Sequence, residues 1–188
     1  MRQVLNSPGS ASLLGTAAAL LVLAFAALSA GLDIAQVGAA LARVLHVLAA
    51  IVWGGFIVFV NLVQLTALAA ASDAERPVIV RHVVPRTARV FAIAADVTLA
   101  TGVVLTLPTH ATLAARPLLL AGIFGGLAMW AIVRFVLKPA VAIVTGVRSA
   151  SDPERAAARG RIAVYARINL VLLLPVTTAM LLAAHGFG

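Results

Sequence analysis

The sequence predicts an all-α integral membrane protein, one domain over residues 1–188 built as a bundle of about five transmembrane helices. Three observations carry this. The chain is 63% hydrophobic and only 11% charged, with a mean hydropathy of +1.10, more apolar surface than a soluble domain can hide. It contains several apolar runs of about 20 residues, the length that crosses a bilayer as a helix. Backbone groups in hydrocarbon must be satisfied internally, so each run is a helix or part of a closed barrel. These runs are too long, and too rich in Ala and Leu, for barrel strands.

The first span is expected at about Ala11 to Ala30. "MRQVLNSPGS" precedes it, as a signal peptide would require, but Leu28 stands where a cleavage box wants a small residue, so an uncleaved span is expected. The second runs from about Val37 to Ala70, longer than a bilayer needs, and must tilt or extend into water. "ASDAERPVIVRHVVPRTAR" follows as a basic connection with room for a short interfacial helix. The third span is about Val90 to Leu107, closed by "PTHATLAARP", a turn punctuated by two prolines. The fourth is about Leu118 to Leu137, ended by "KPA". The polar segment "RSASDPERAAARGR" leads to the fifth, about Ile162 to Ala184.

Several functions are excluded. Without cysteine there is no disulfide, thiolate metal site or covalent c-type haem attachment. The net charge of +8 does not point to nucleic acid, because the arginines sit at the ends of apolar runs. There is no Gly-rich phosphate loop and no HExxH. The basic residues also set an orientation. With a cytoplasmic N-terminus and a periplasmic C-terminus, only Arg43 and Arg116 fall outside, which gives a multi-pass protein of a bacterial-type inner membrane.

That orientation puts His46, His110 and His185 toward the outer face and His82 inside. A straight helix returns to the same face after 18 residues, about 27 Å along its axis. His46 and Gln64 are so related, as are Arg167 and His185, and Trp53 lies two turns beyond His46. If the two stripes face each other, His46 and His185 could bracket a b-type haem, which needs imidazole and no cysteine, with Trp53 against the macrocycle. The other reading is that no cofactor is bound, His46 being an interhelical hydrogen-bond donor and His185 an interfacial residue. A copper site from His46, His110 and His185 is a further alternative.

Nearer the inner face, Asp96 is a carboxylate within a span, where an unpaired charge is costly. It is expected to pair with Arg89, Arg134 or Arg167, with Asn61, Gln64 and Asn169 completing an inner network. Such a network either clamps the bundle or handles a proton or a quinone head group. Gly54-Gly55, Gly102, Gly122 and Gly125-Gly126 read as helix-packing positions, and Met129 and Met180 as bundle filler.

These residues resemble a known pattern. "LARVLHVLAAIVWGGFIVFVNLVQ" is similar to the histidine-bearing helix of the membrane domain of bacterial urate oxidases, the urate hydroxylase family, through His46, Trp53, Gly54, Asn61, Val63 and Gln64. "HVVPRTARVF" followed by Thr101-Gly102 resembles the next element. "AMWAIVRFVLKPA" resembles the Met-Trp helix ending at a proline, and "ARINLVLLLPVTTAMLLAAH" the last helix, through Arg167, Asn169, Pro175, Met180 and His185. The likeness covers roughly residues 39–185. After Phe91 the chain has "AIAAD" where that family tends to have Arg-Trp-Gly, and Ala131 stands where an Asn is expected. More distantly the chain resembles the copper-resistance membrane domain and the haem-linked protoporphyrinogen oxidase of bacteria. The resemblance implies a membrane redox module, in a family whose longer members carry a C-terminal cytochrome c domain.

The expected function is therefore an inner-membrane electron-transfer protein or subunit binding haem b. If it is catalytic, it is an oxidoreductase or part of one. Its partners would be the bilayer and a separate periplasmic cytochrome c or a larger membrane complex, with no nucleic acid. The alternatives are a non-catalytic accessory or anchoring subunit of a larger complex, and copper or small-solute transport.

Overall fold

Five helices, each long and apolar enough to cross a membrane, follow one another without an intervening strand among the described residues. The computed structural model describes residues 7–187, the side chains of 109–111 excepted. The helices are α1 (Pro8–Ala30), α2 (Ile34–Ala70), α3 (Arg76–Thr106), α4 (Pro117–Val144) and α5 (Asp152–Ala184). The chain divides into two units, Met1–Val44 and Leu45–Gly188.

In the first unit, local chemistry marks the helix ends. The Ser7 hydroxyl accepts from the Ser10 amide at 3.2 Å, satisfying one of the free donors at the start of α1. Gly31 closes the helix in the left-handed region at φ 61°, where a side chain would be strained. Asp33 and Gln36 then cap α2 reciprocally, each carboxamide or carboxylate oxygen accepting from the other's backbone amide at 2.8–2.9 Å. No residue of α1 is buried.

The second unit holds the remainder of α2 with α3, α4 and α5. Beyond α2, Glu75 accepts from both the amide and the hydroxyl of Ser72. The hydroxyl, then the amide, holds its carboxyl below the usual carboxylate range. The short helix expected in this connection is present, Arg76–His82, but it runs on through Val83 into the body of α3. Pro85 explains the interruption, since it lacks a donor and crowds the preceding turn. A 3-10 segment, Leu107–Ala115, joins α3 to α4.

Besides the start of α3, which precedes the expected Val90, two boundaries differ from expectation. α4 does not stop at Pro139 but continues to Val144, because the turns just before the proline widen into a π segment, Ile132–Leu137. That wide turn takes up the ring, which in a regular helix would clash with the carbonyl four residues back. α5 begins at Asp152, ten residues before its expected start at Ile162. A capping box explains this: Glu154 accepts from the Ser151 amide at 2.7 Å, and Asp152 and Glu154 complement the helix dipole. α2 contains a second π segment, Val60–Gln64. An extra residue in that turn breaks the 18-residue arithmetic relating His46 to Gln64, which holds only for a regular helix.

Packing in this unit is the reverse of a soluble bundle. Large apolar side chains such as Ile51, Phe124, Phe135, Val171 and Leu174 point outward, and alanines such as Ala94, Ala95, Ala158 and Ala166 are buried. Outward apolar groups suit lipid tails. Lipid removes the hydrophobic drive for helices to associate, so close contact of small residues must hold them together. Gly122 and Gly125 of α4 do this against α5. A Cβ on Gly122 would lie 2.8 Å from Met180 Cγ, and one on Gly125 would run into Val176 Cγ2. Gly54 of α2 likewise receives Leu173. Trp53, Ile57, Phe91, Met129, Val133 and Leu137 fill the centre.

Val176 is β-branched and stiff, so it cannot yield as Met180 can. Gly125→Ala should therefore destabilise the detergent-solubilised protein by roughly 1–3 kcal/mol in thermal unfolding. Gly126→Ala, where a Cβ meets open space, should be neutral.

Candidate functional site: a polar-floored cleft among α2–α5

The two π segments meet at one place. Val60, Asn61 and Gln64 from the first, and Val133, Arg134 and Leu137 from the second, line a cavity of about 430 Å³. π turns of this kind often mark functional sites. α3 contributes Thr87, Arg89, Phe91 and Asp96, and α5 contributes Ile162, Ala166 and Asn169. The walls are mostly apolar, and the size lies within the range of small-molecule pockets.

The floor is polar. Asn169 is 0% exposed and Gln64 8%. Asn61 Nδ2 donates to the carbonyls of Ile57 at 2.8 Å and of Ala166 at 3.1 Å, tying α2 to α5. Its own Oδ1, Gln64 Oε1, and both Oδ1 and Nδ2 of Asn169 are buried with no hydrogen-bond partner among the described residues. Each such atom costs about 1–3 kcal/mol, and native interiors seldom tolerate several together. All three residues border the same cavity.

Asp96 stands on the wall. Arg134 lies 3.6 Å from its Oδ2, and Trp130 Nε1 donates to its Oδ1 at 2.8 Å. Trp130 was not expected as a partner. The signal was available, since an indole N–H inside an apolar helix needs an acceptor and Asp96 is the carboxylate at matching depth. Arg89 and Lys138 line the cavity too. Arg167, expected in this network, is not part of it. It is exposed on the far side of α5 with Val164, Ile168, Val171 and Leu172. With Ala166 and Asn169 facing inward, a step of 100° per residue carries Arg167 away from the cleft.

The histidines lie at the opposite end of this unit. His46 Nδ1 is 2.9 Å from the Thr98 carbonyl and 3.2 Å from Thr101 Oγ1. A carbonyl only accepts, so Nδ1 carries the proton and Nε2 keeps a lone pair. The ring presses on α3, where a Cβ on Gly102 would come within 3.1 Å of its Cε1. His185 is exposed at the end of α5 and turns back on its own helix, Nδ1 to the Leu181 carbonyl at 2.8 Å. Trp53 is buried in the apolar core, its Nε1 without a partner among the described residues. Neither imidazole lines the 430 Å³ cavity. His46 has the tautomer of an Nε2 ligand, and each ring is held at Nδ1 by a backbone carbonyl, that of His46 from α3 and that of His185 from its own helix. No set of three or more His, Cys, Asp or Glu groups gathers as a metal site among the described residues. The side chain of His110 lies outside them.

No family model, no curated protein and no solved structure matches the chain.

Trp130→Phe removes one donor to a half-exposed carboxylate and should cost roughly 1 kcal/mol in thermal unfolding. Asp96→Asn keeps the acceptor for Trp130 and should cost less.

Proposed function

We propose that the protein is a membrane redox subunit whose cleft binds a lipid-soluble carrier of the quinone class. The observation that supports this is the set of unpartnered amide atoms of Asn61, Gln64 and Asn169 beneath an apolar cavity. A quinone presents carbonyl acceptors on a small planar ring, and its reduced form presents hydroxyl donors. Asn169 offers both a donor and an acceptor, and Asn61 and Gln64 add acceptor oxygens. The same floor therefore serves both redox forms, and the apolar walls suit the ring and the start of its tail. Asp96, paired with Arg134 and Trp130, places a carboxylate at the same cavity, where it can take up or release a proton.

In this reading the cleft opens toward the cytoplasmic side of a bacterial inner membrane, because Arg89, Arg134 and Lys138 border it and basic residues favour that side. The electron partner is a separate protein. His46 then acts as a link between α2 and α3.

The test is binding of a short-chain benzoquinone and its hydroquinone to purified protein. Asn169→Leu should weaken both by about tenfold or more while leaving the ligand-free protein as stable or more so, since it replaces an orphaned amide with an apolar group of similar size. Unchanged quinone affinity in a destabilised variant would contradict the proposal.

A further inference from the structure

The cleft carries a second chemistry at its rim. Asn169 and Gln64 are buried, whereas Arg89, Arg134 and Lys138 are exposed, yet all five border one cavity. Asp96 is the one carboxylate among the lining residues, and Arg134 faces it at 3.6 Å. Arg89 and Lys138 have no ion pair among the described residues. Three cations against one carboxylate leave an uncompensated positive rim at the mouth of an apolar groove.

We infer that this rim is a phosphate-class anion site, formed by Arg89 and Lys138 with Arg134 between the carboxylate and the anion. Arg89 supplies a planar fork suited to two phosphate oxygens, and Lys138 a point charge. Toward the membrane interior the apolar walls continue from the rim with Ile57, Val60, Ile93 and Val133, which is where the acyl chain of a lipid carrying that phosphate would lie. The shared chemistry is the phosphate. Its source is an anionic phospholipid head group or a free phosphate. The inference does not rest on the quinone reading, which concerns the buried amides rather than the exposed cations.

The experiment uses the full chain in neutral detergent, with lipid binding followed by native mass spectrometry and by thermal shift. The probes are phosphatidylglycerol, phosphatidylcholine and inorganic phosphate. The variants are R89Q/K138Q and, as a charge-matched control away from the cavity, R155Q/R159Q. Phosphatidylglycerol should bind in preference to phosphatidylcholine. R89Q/K138Q should weaken it by about tenfold, and R155Q/R159Q should leave it unchanged. If inorganic phosphate stabilises the protein as well, and that effect is lost in R89Q/K138Q, the site takes a free phosphate. If it has no effect, the lipid head group is the source. Equal binding of the two lipids, or an equal loss in both double variants, overturns the inference. Benzoquinone binding retained in R89Q/K138Q, and phosphatidylglycerol binding retained in Asn169→Leu, would show the two sites to be separable.

Discussion

The Asn61 side chain, donating to the Ile57 and Ala166 carbonyls, is the contact on which the site depends. A hydrogen bond across apolar helices pins α2 to α5 at one height. It also separates the amide's two ends, the nitrogen bonded to both helices and the oxygen buried with no partner among the described residues. The π turn around Asn61 widens the backbone where a regular helix would close against its neighbour. A matching π turn in α4, forced by Pro139, opens the opposite wall. The cavity is bordered by two local departures from the α-helix, in α2 and α4, with α2 tied to α5 by one polar link and α4 to α5 by glycine contacts.

Those contacts show how the unit tolerates a polar interior. Gly122 and Gly125 let α4 approach α5 at the end where Met180 and Val176 sit. Close packing there offsets the cost of leaving amides unpaired on α2 and farther along α5. The same logic accounts for His46. Its Nδ1–H finds the Thr98 carbonyl, made accessible because Gly102 carries no side chain. One end of the unit is thus tight with its polar group satisfied, and the other is open with its polar groups unsatisfied.

Much of this was legible in the sequence. Hydropathy alone locates five spans, because a bilayer demands long apolar runs. Asn61, Gln64, Asp96 and Asn169 stand out as polar groups that lipid would reject, and they do border one cavity. What was not legible depends on tertiary geometry. Nothing in "VNLVQ" announces a π turn, and a proline reads as a helix end unless the preceding turn is known to be wide. Arg167 was misplaced because depth along a helix was weighed without its rotation, although Asn169 two residues later fixes the inward face. The start of α5 was within reach, since Ser151 and Glu154 form a capping box in plain sequence. The carbonyl that each ring finds at Nδ1, Thr98 for His46 and Leu181 for His185, also depends on tertiary and local geometry that spacing does not give.

The central claim is that the buried amides form the floor of a ligand site. The chain has no cysteine, so A142C would place a single thiol on the wall of the cleft. The rate at which a small maleimide labels that thiol, with and without a short-chain benzoquinone, tests the claim most directly. The account predicts labelling without quinone and protection that grows with quinone concentration. A thiol labelled at the same rate throughout would contradict it.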